Sequence, residues 1–332
     1  MDTAHSMPHH EPGTPRQFSA VTRRWWIRGT LGATCIVAAI LYFAYGYTPK
    51  EDRTDHSRYL ASIPSRFTTV RGYRLHYIRI GTGPSVVLLP GGGTWTYEYR
   101  NIIPSLAERH TVYAIDMPGE GYTQPLTSDP QYNLPSLSRL LGDFLNQEGI
   151  ARASFVGHSW GGGEALYFAE RHPERVEKLV LLDAAGLDVR DIPLWESLKW
   201  PVVGEIVSKF ITPGLVKQTL QGVVLHKDSV TAEMVRETYV PLTFRSNRKA
   251  MYLLERELDW KLTEQALSSV RCPVLIVWGR DDAMLSVDLA QRFARQMTGA
   301  SVVRVVLVDH AGHSVQEDNP GEVRTAVNSF LR

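Results

Sequence analysis

Phe155-Val156-Gly157-His158-Ser159-Trp160-Gly161-Gly162-Gly163 decides how this chain is read. The residues before it, Ala153 to Val156, are small and apolar, as in a short buried strand. Those after it, Glu164-Ala165-Leu166-Tyr167-Phe168-Ala169-Glu170, favour a helix. A serine between the two sits on a sharp turn. Glycines two positions to either side let strand and helix pass without a Cβ clash. Such a turn lifts the hydroxyl clear of the sheet, and the helix N-terminus behind it favours developing negative charge.

Working outward, apolar strands and helical patterns alternate. Arg66 to Val70 and Tyr73 to Ile80 flank Arg71-Gly72 and read as a hairpin. Ser85 to Leu89 is a continuous apolar run, typical of a strand buried on both faces, and leads into Pro90-Gly91-Gly92-Gly93. Thr111 to Ile115, Val176 to Leu182, Val274 to Trp278 and Val302 to Val308 are further strands, with helices expected at 134–147, 287–297 and 320–331. This alternation predicts an α/β fold with a doubly wound, mostly parallel sheet. It breaks between Leu187 and Trp260, where several helical patterns carry aromatic residues and prolines. That stretch reads as a helical insertion over the sheet.

Hydrophobic residues make up 43% of the 332, enough for one large α/β domain with an insertion. A formal net charge of +1 gives no reason to expect a nucleic-acid partner. The two cysteines, Cys35 and Cys272, define neither a disulfide framework nor a metal site. Residues 1–24 read as a polar cytoplasmic tail, disordered because it cannot bury a core, and its His5, His9 and His10 carry no metal pattern.

Residues 25–47 read as a transmembrane signal anchor. The uncharged run Gly29 to Tyr47 spans about 28 Å as a helix, close to the ~30 Å hydrocarbon core. Arg16, Arg23, Arg24 and Arg28 precede it, which places the N-terminus in the cytoplasm and the main domain outside. The alternative is a cleaved export signal, since Thr22-Arg23-Arg24-Trp25-Trp26 resembles a twin-arginine signal. Cleavage would then fall near Gly46, after a poor small-x-small site. Residues 48–65 read as a charged linker, and 66–332 as the main domain with its insertion at about 187–260.

A serine hydroxyl is a poor nucleophile near neutral pH and needs a base, which needs an orienting carboxylate. In a parallel sheet these groups gather past the C-terminal ends of strands. Gly279-Arg280-Asp281-Asp282 and Asp309-His310-Ala311-Gly312-His313-Ser314 are such loops. Asp281 and Asp183 are rival acids, and His310 is a rival base.

With these elements in place, residues 66–331 resemble the α/β-hydrolase superfamily. The resemblance rests on Asp116-Met117-Pro118-Gly119-Glu120-Gly121, Gly157-x-Ser159-x-Gly161, the run Pro273 to Asp282, and Ala311-Gly312-His313. It implies an eight-stranded sheet, Ser159 as nucleophile, His313 as general base and Asp282 as orienting acid. It also implies an oxyanion hole made by the backbone N–H of Trp160 and that of Gly92. Relatives usually carry His-Gly where this chain has Pro90-Gly91. The insertion resembles the family's lid, whose apolar residues suit an apolar acyl or alcohol group.

The resemblance then implies acyl transfer from a small-molecule ester to water, with no metal and no organic cofactor required. Aspartate stands at the elbow of related dehalogenases and epoxide hydrolases, so Ser159 disfavours those activities. C–C cleavage, amide hydrolysis or perhydrolysis on the same three residues remain open, as does a non-catalytic binding domain. Gly279-Arg280-Asp281-Asp282 is similar to the C–C hydrolases, and Gly161-Gly162-Gly163-Glu164 to cofactor-free haloperoxidases.

Overall fold

The structure is a computed structural model that describes residues 20–51 and 57–332. Most of the expected disordered tail, with its three histidines, and the middle of the linker lie outside the described residues. The chain divides into two units, Met1–Tyr47 and Thr48–Arg332.

In the first unit a helix runs Ala20–Leu41 and ends in one wider turn, Tyr42–Gly46. It starts earlier than the expected membrane segment and takes in Arg23 and Arg24, because no proline or glycine interrupts 20–28. Its stretch Arg28–Gly46 is long and apolar enough to cross a membrane, a test that an N-terminal signal sequence also passes. Leu31 and Ile36 on this helix lie 60% and 62% exposed.

The second unit is built on nine strands. They are β1 (Ser65–Val70), β2 (Tyr73–Ile80), β3 (Ser85–Leu89), β4 (Thr111–Ile115), β5 (Gln124–Pro125), β6 (Ala153–His158), β7 (Val176–Leu182), β8 (Val274–Gly279) and β9 (Val303–Val308). Their order is β1-β2-β4-β3-β6-β7-β8-β9, with β5 beside β2. The β1–β2 and β2–β4 pairs are antiparallel, and every pair from β4 to β9 is parallel. Two-residue β5 is the addition to the expected eight strands. It contains Pro125, and no sequence periodicity marks so short a piece.

Successive residues of the central strands serve opposite faces. Val87, Leu89 and Phe155 join the core under helices Leu134–Gln147, Ser159–Arg171 and Asp288–Gln296. Val86, Leu88 and Val156 join the core under Ile103–Ala107 and Pro320–Leu331. That double burial explains why these strands read as unbroken apolar runs. Sequence order reverses at β3, because β4 lies on one side of it and β6 on the other. The loops leaving β3 and β6 therefore part and open a crevice between them.

From β7 to β8 the described residues form helices and no strand. The main ones are Pro193–Leu198, Val203–Val207, Pro213–Val223, Ala232–Leu242 and Arg245–Glu257. The linker is less free than its charges imply. It contains a short helix, Arg58–Ser62, with Tyr59 edge-on to Trp95 and Tyr97 at 5.8 and 5.0 Å. The Arg58 amide donates to Glu237 Oε1 at 3.1 Å, and Glu51 Oε1 accepts from the Arg245 amide at 2.7 Å. Both partners lie on the inserted helices.

Candidate active site

Ser159 sits where β6 passes into the helix Ser159–Arg171, with φ at +48°. A non-glycine residue holds that left-handed conformation only where its surroundings impose it. The flanking glycines do so. A Cβ at Gly157 would stand 2.3 Å from the Gly161 carbonyl oxygen, and one at Gly161 would stand 2.3 Å from the Leu89 and Pro90 carbonyl oxygens. The elbow is thus wedged against the end of β3.

Ser159 Oγ lies 3.0 Å from His313 Nε2, across 154 positions of chain. His313 Nδ1 lies 2.9 Å from Asp282 Oδ2. The other Asp282 oxygen accepts from the Met284 and Leu285 amides at 2.8 and 2.9 Å. The His313 side chain is 5% exposed and that of Asp282 is fully buried, so both are fixed and dry. The β8 and β9 loops bear directly on each other, since a Cβ at Gly279 would meet the Gly312 carbonyl at 2.2 Å. Ser159, His313 and Asp282 therefore come from three strand ends and form one hydrogen-bonded line.

The rivals go elsewhere. Asp281 and His310 are exposed. Asp183 is buried and accepts the Gly279 amide through Oδ1 at 2.7 Å, with no bond to His313. Burial, then the nearby Asp282 carboxylate, pushes its carboxyl well above the ordinary range. Asp183 thus fastens β7 to β8.

Gly92 and the Trp160 indole lie against each other. A Cβ at Gly92 would stand 2.2 Å from Cε3 of the Trp160 indole. The loop turns over residues 91–94, with Thr94 N–H donating to the Gly91 carbonyl at 3.3 Å and Gly93 at φ +73°. This is the third position of a turn that demands positive φ, which glycine meets freely.

Two groups escaped the sequence reading. Glu98 is buried beneath this loop and accepts from the Gly91 amide at 3.2 Å. Its other oxygen lies 3.3 Å from His158 Nδ1. Asp318 accepts from the Gly312 and Leu225 amides, both at 2.8 Å, and so ties the His313 loop to the end of the inserted helix Pro213–Val223. Neither belongs to a motif, and only their partners give them meaning.

Above Ser159 lies a cavity of about 190 Å³, walled largely by the inserted helices. Leu187, Trp195, Ile211, Val216, Met251 and Trp260 are among its apolar walls. Its described lining includes no lysine and no arginine. The insertion's aromatics divide: Trp195 and Trp260 face the cavity, whereas Trp200 and Phe210 are 59% and 47% exposed. Arg248 is buried and donates from Nε to the Leu242 carbonyl at 2.9 Å, because its helix turns that side toward its neighbours.

A profile of the family described as "alpha/beta hydrolase fold" matches residues 84–219. Over 285 residues the chain is 27% identical to a 2-hydroxy-6-oxononadienedioate/2-hydroxy-6-oxononatrienedioate hydrolase of Comamonas testosteroni, covering 81% of this chain and 97% of that one. Among solved structures, a serine hydrolase involved in carbazole degradation is 26% identical, with a TM-score of 0.67, over 80% of this chain and 98% of its own. A membrane phospholipase A shares the fold with a TM-score of 0.69 at 24% identity, over 93% and 98% of the two chains. The motifs, the sheet order and these likenesses agree, and the chain belongs to the α/β-hydrolase superfamily.

Proposed function

We propose that this protein is a serine hydrolase that cleaves carboxylic esters with an apolar portion through an acyl-enzyme. The observation that carries the reading is the line Ser159–His313–Asp282 lying beneath an apolar cavity. Ser159 Oγ attacks the ester carbonyl while His313 Nε2 takes its proton. Asp282 holds the ring through Nδ1 and balances the imidazolium that forms. The Gly92 and Trp160 amides receive the oxyanion, in a dry site where fixed dipoles act most strongly. His313 then protonates the departing alcohol. Water next enters, loses a proton to His313 and releases the acid. The helices within 187–260 act as the lid that sizes the acyl or alcohol group.

C–C hydrolysis is the second reading, favoured by the likeness to the dienedioate hydrolase. Substrates with such names carry carboxylates, and a buried carboxylate calls for a cationic partner. The described lining offers no lysine or arginine for one, which favours neutral esters here.

The same proposal makes residues 25–47 an uncleaved anchor with the N-terminus cytoplasmic and the catalytic domain outside, on the strength of the apolar helix and the arginines before it. Cleavage near Gly46 would instead release a soluble exported enzyme.

The test uses the full chain in detergent and a fluorophosphonate probe, beside p-nitrophenyl esters of rising chain length and a 2-hydroxy-6-oxo-6-phenylhexa-2,4-dienoate. Labelling that Ser159→Ala abolishes, together with ester turnover, is the expected result. Turnover of the dienoate alone moves the assignment to C–C cleavage. A folded protein that neither labels nor turns over either substrate overturns the reading.

A further inference from the structure

Pro90 gives the glycine loop after β3 no side-chain hydrogen bond, and the structure shows the loop held by a buried carboxyl group instead. Glu98 follows the loop in a short turn, Thr96–Tyr99, and its side chain is 7% exposed. Its two oxygens have two jobs. Oε1 accepts the Gly91 amide at 3.2 Å, and Oε2 faces His158 Nδ1 at 3.3 Å. His158 in turn lies 3.0 Å from the His313 backbone carbonyl through Nε2. The carbonyl oxygen only accepts, so Nε2 carries the hydrogen of that bond, and Nδ1 faces the Glu98 carboxyl group, a contact that favours a charge on the ring.

Burial works against that charge, but Glu98 and the His313 carbonyl outweigh it and hold His158 above its ordinary value. The pair is tight against the reacting centre. A Cβ at Gly91 would stand 2.7 Å from His158 Nδ1 and 3.3 Å from Ser159 Cβ.

We propose that Glu98 and His158 form a positioning clamp that sets the oxyanion hole. One carboxylate fixes the Gly91 peptide, and thereby its neighbour Gly92. Through His158, which directly precedes the nucleophile, the same carboxylate fixes the loop bearing His313. Three loops that meet only in the folded state are held in register by one buried carboxyl–imidazole contact. Neither residue touches the substrate carbonyl. They act by keeping the donor and the base where the tetrahedral intermediate needs them, since a misplacement of about 1 Å costs about 10²-fold in rate.

The inference rests on the serine-hydrolase reading, and its test separates the two. Rates are measured per fluorophosphonate-titrated site for the wild type, Glu98→Gln, Glu98→Asp and Glu98→Ala, with Ser159→Ala as the blank. A trifluoromethyl ketone of the preferred ester mimics the tetrahedral intermediate, and thermal unfolding is followed alongside. Glu98→Gln keeps the shape and replaces the carboxylate by a neutral amide, which weakens both bonds, and it reads the pair even where Glu98→Ala is too unstable to assay.

The expected result is a kcat lower by about 10-fold for Glu98→Gln and about 10²-fold for Glu98→Ala, with KM within about threefold. Ketone affinity falls by the same factors as kcat, and Glu98→Asp recovers part of the loss. Wild-type kcat and ketone affinity in Glu98→Gln overturn the clamp. So does a loss confined to unfolding temperature with an unchanged rate per titrated site. A wild type that does not label overturns the hydrolase reading itself, and the clamp with it.

Discussion

The indole of Trp160 lies across Gly92 so closely that a Cβ at position 92 would stand 2.2 Å from its Cε3. The two proposed oxyanion donors are thus packed against each other, and the glycine is required by contact rather than by φ. Gly92→Ala must push the loop or the indole aside. It is expected to lower kcat by about 10²-fold or more while leaving KM nearly unchanged, as loss of one oxyanion donor does. Steady-state kinetics on the best p-nitrophenyl ester, with circular dichroism to confirm folding, check this.

Asp282 and Asp183 end adjacent strands, yet only Asp282 reaches His313. Asp282→Asn removes the charge that balances the imidazolium and favours the wrong tautomer, so kcat falls by about 10⁴-fold. Asp183→Asn leaves the Gly279 amide an acceptor oxygen and removes a charge that burial already disfavours. Its turnover stays within a few-fold of wild type. A reversed ranking in stopped-flow acylation would move the acid to β7.

Glu170 lies inside the helix Ser159–Arg171, 5% exposed, with no hydrogen-bond partner for either carboxyl oxygen among the described residues. Burial pushes its carboxyl up to about 9, only partly opposed by Arg171. A carboxyl whose folded value is raised keeps its proton after the unfolded chain has lost one. Stability contributed by this group is therefore present below the ordinary glutamate range and is lost as pH rises toward 9. Glu170→Met removes that loss. Its unfolding temperature should exceed that of wild type by a margin that widens from pH 5 to pH 9, equivalent to about 2 kcal/mol at the alkaline end. Thermal scans across that range measure it, and a constant margin contradicts the assignment.

Trp195 lines the cavity and packs edge-on to Trp160 at 5.5 Å. Trp195→Ala opens space beside the nucleophile. The preferred acyl group should become bulkier, with kcat/KM for the smallest esters falling by up to about tenfold, in line with the 1–3 kcal/mol carried by apolar pocket contacts. The ester panel reads the shift directly.

The sequence by itself determined the α/β alternation, the strained serine between Gly157 and Gly161, and the loops carrying Asp282 and His313. These are local signals. Doubly buried strands read as apolar runs, and a turn that admits no Cβ demands glycine. Sequence also placed the helical insertion, because the strand pattern stops at Leu187 and resumes at Val274. Only the tertiary structure decided which aspartate meets His313, since Asp183, Asp281 and Asp282 all stand at strand ends and the chain carries no record of which way a side chain points. It alone showed Arg248 buried, Tyr59 packed where a free linker was expected, and β5 too short to have a period. The Glu98–His158 pair joins residues 60 positions apart. Its meaning comes from a carboxylate, a ring and two backbone groups that only the folded sheet brings within reach of one another.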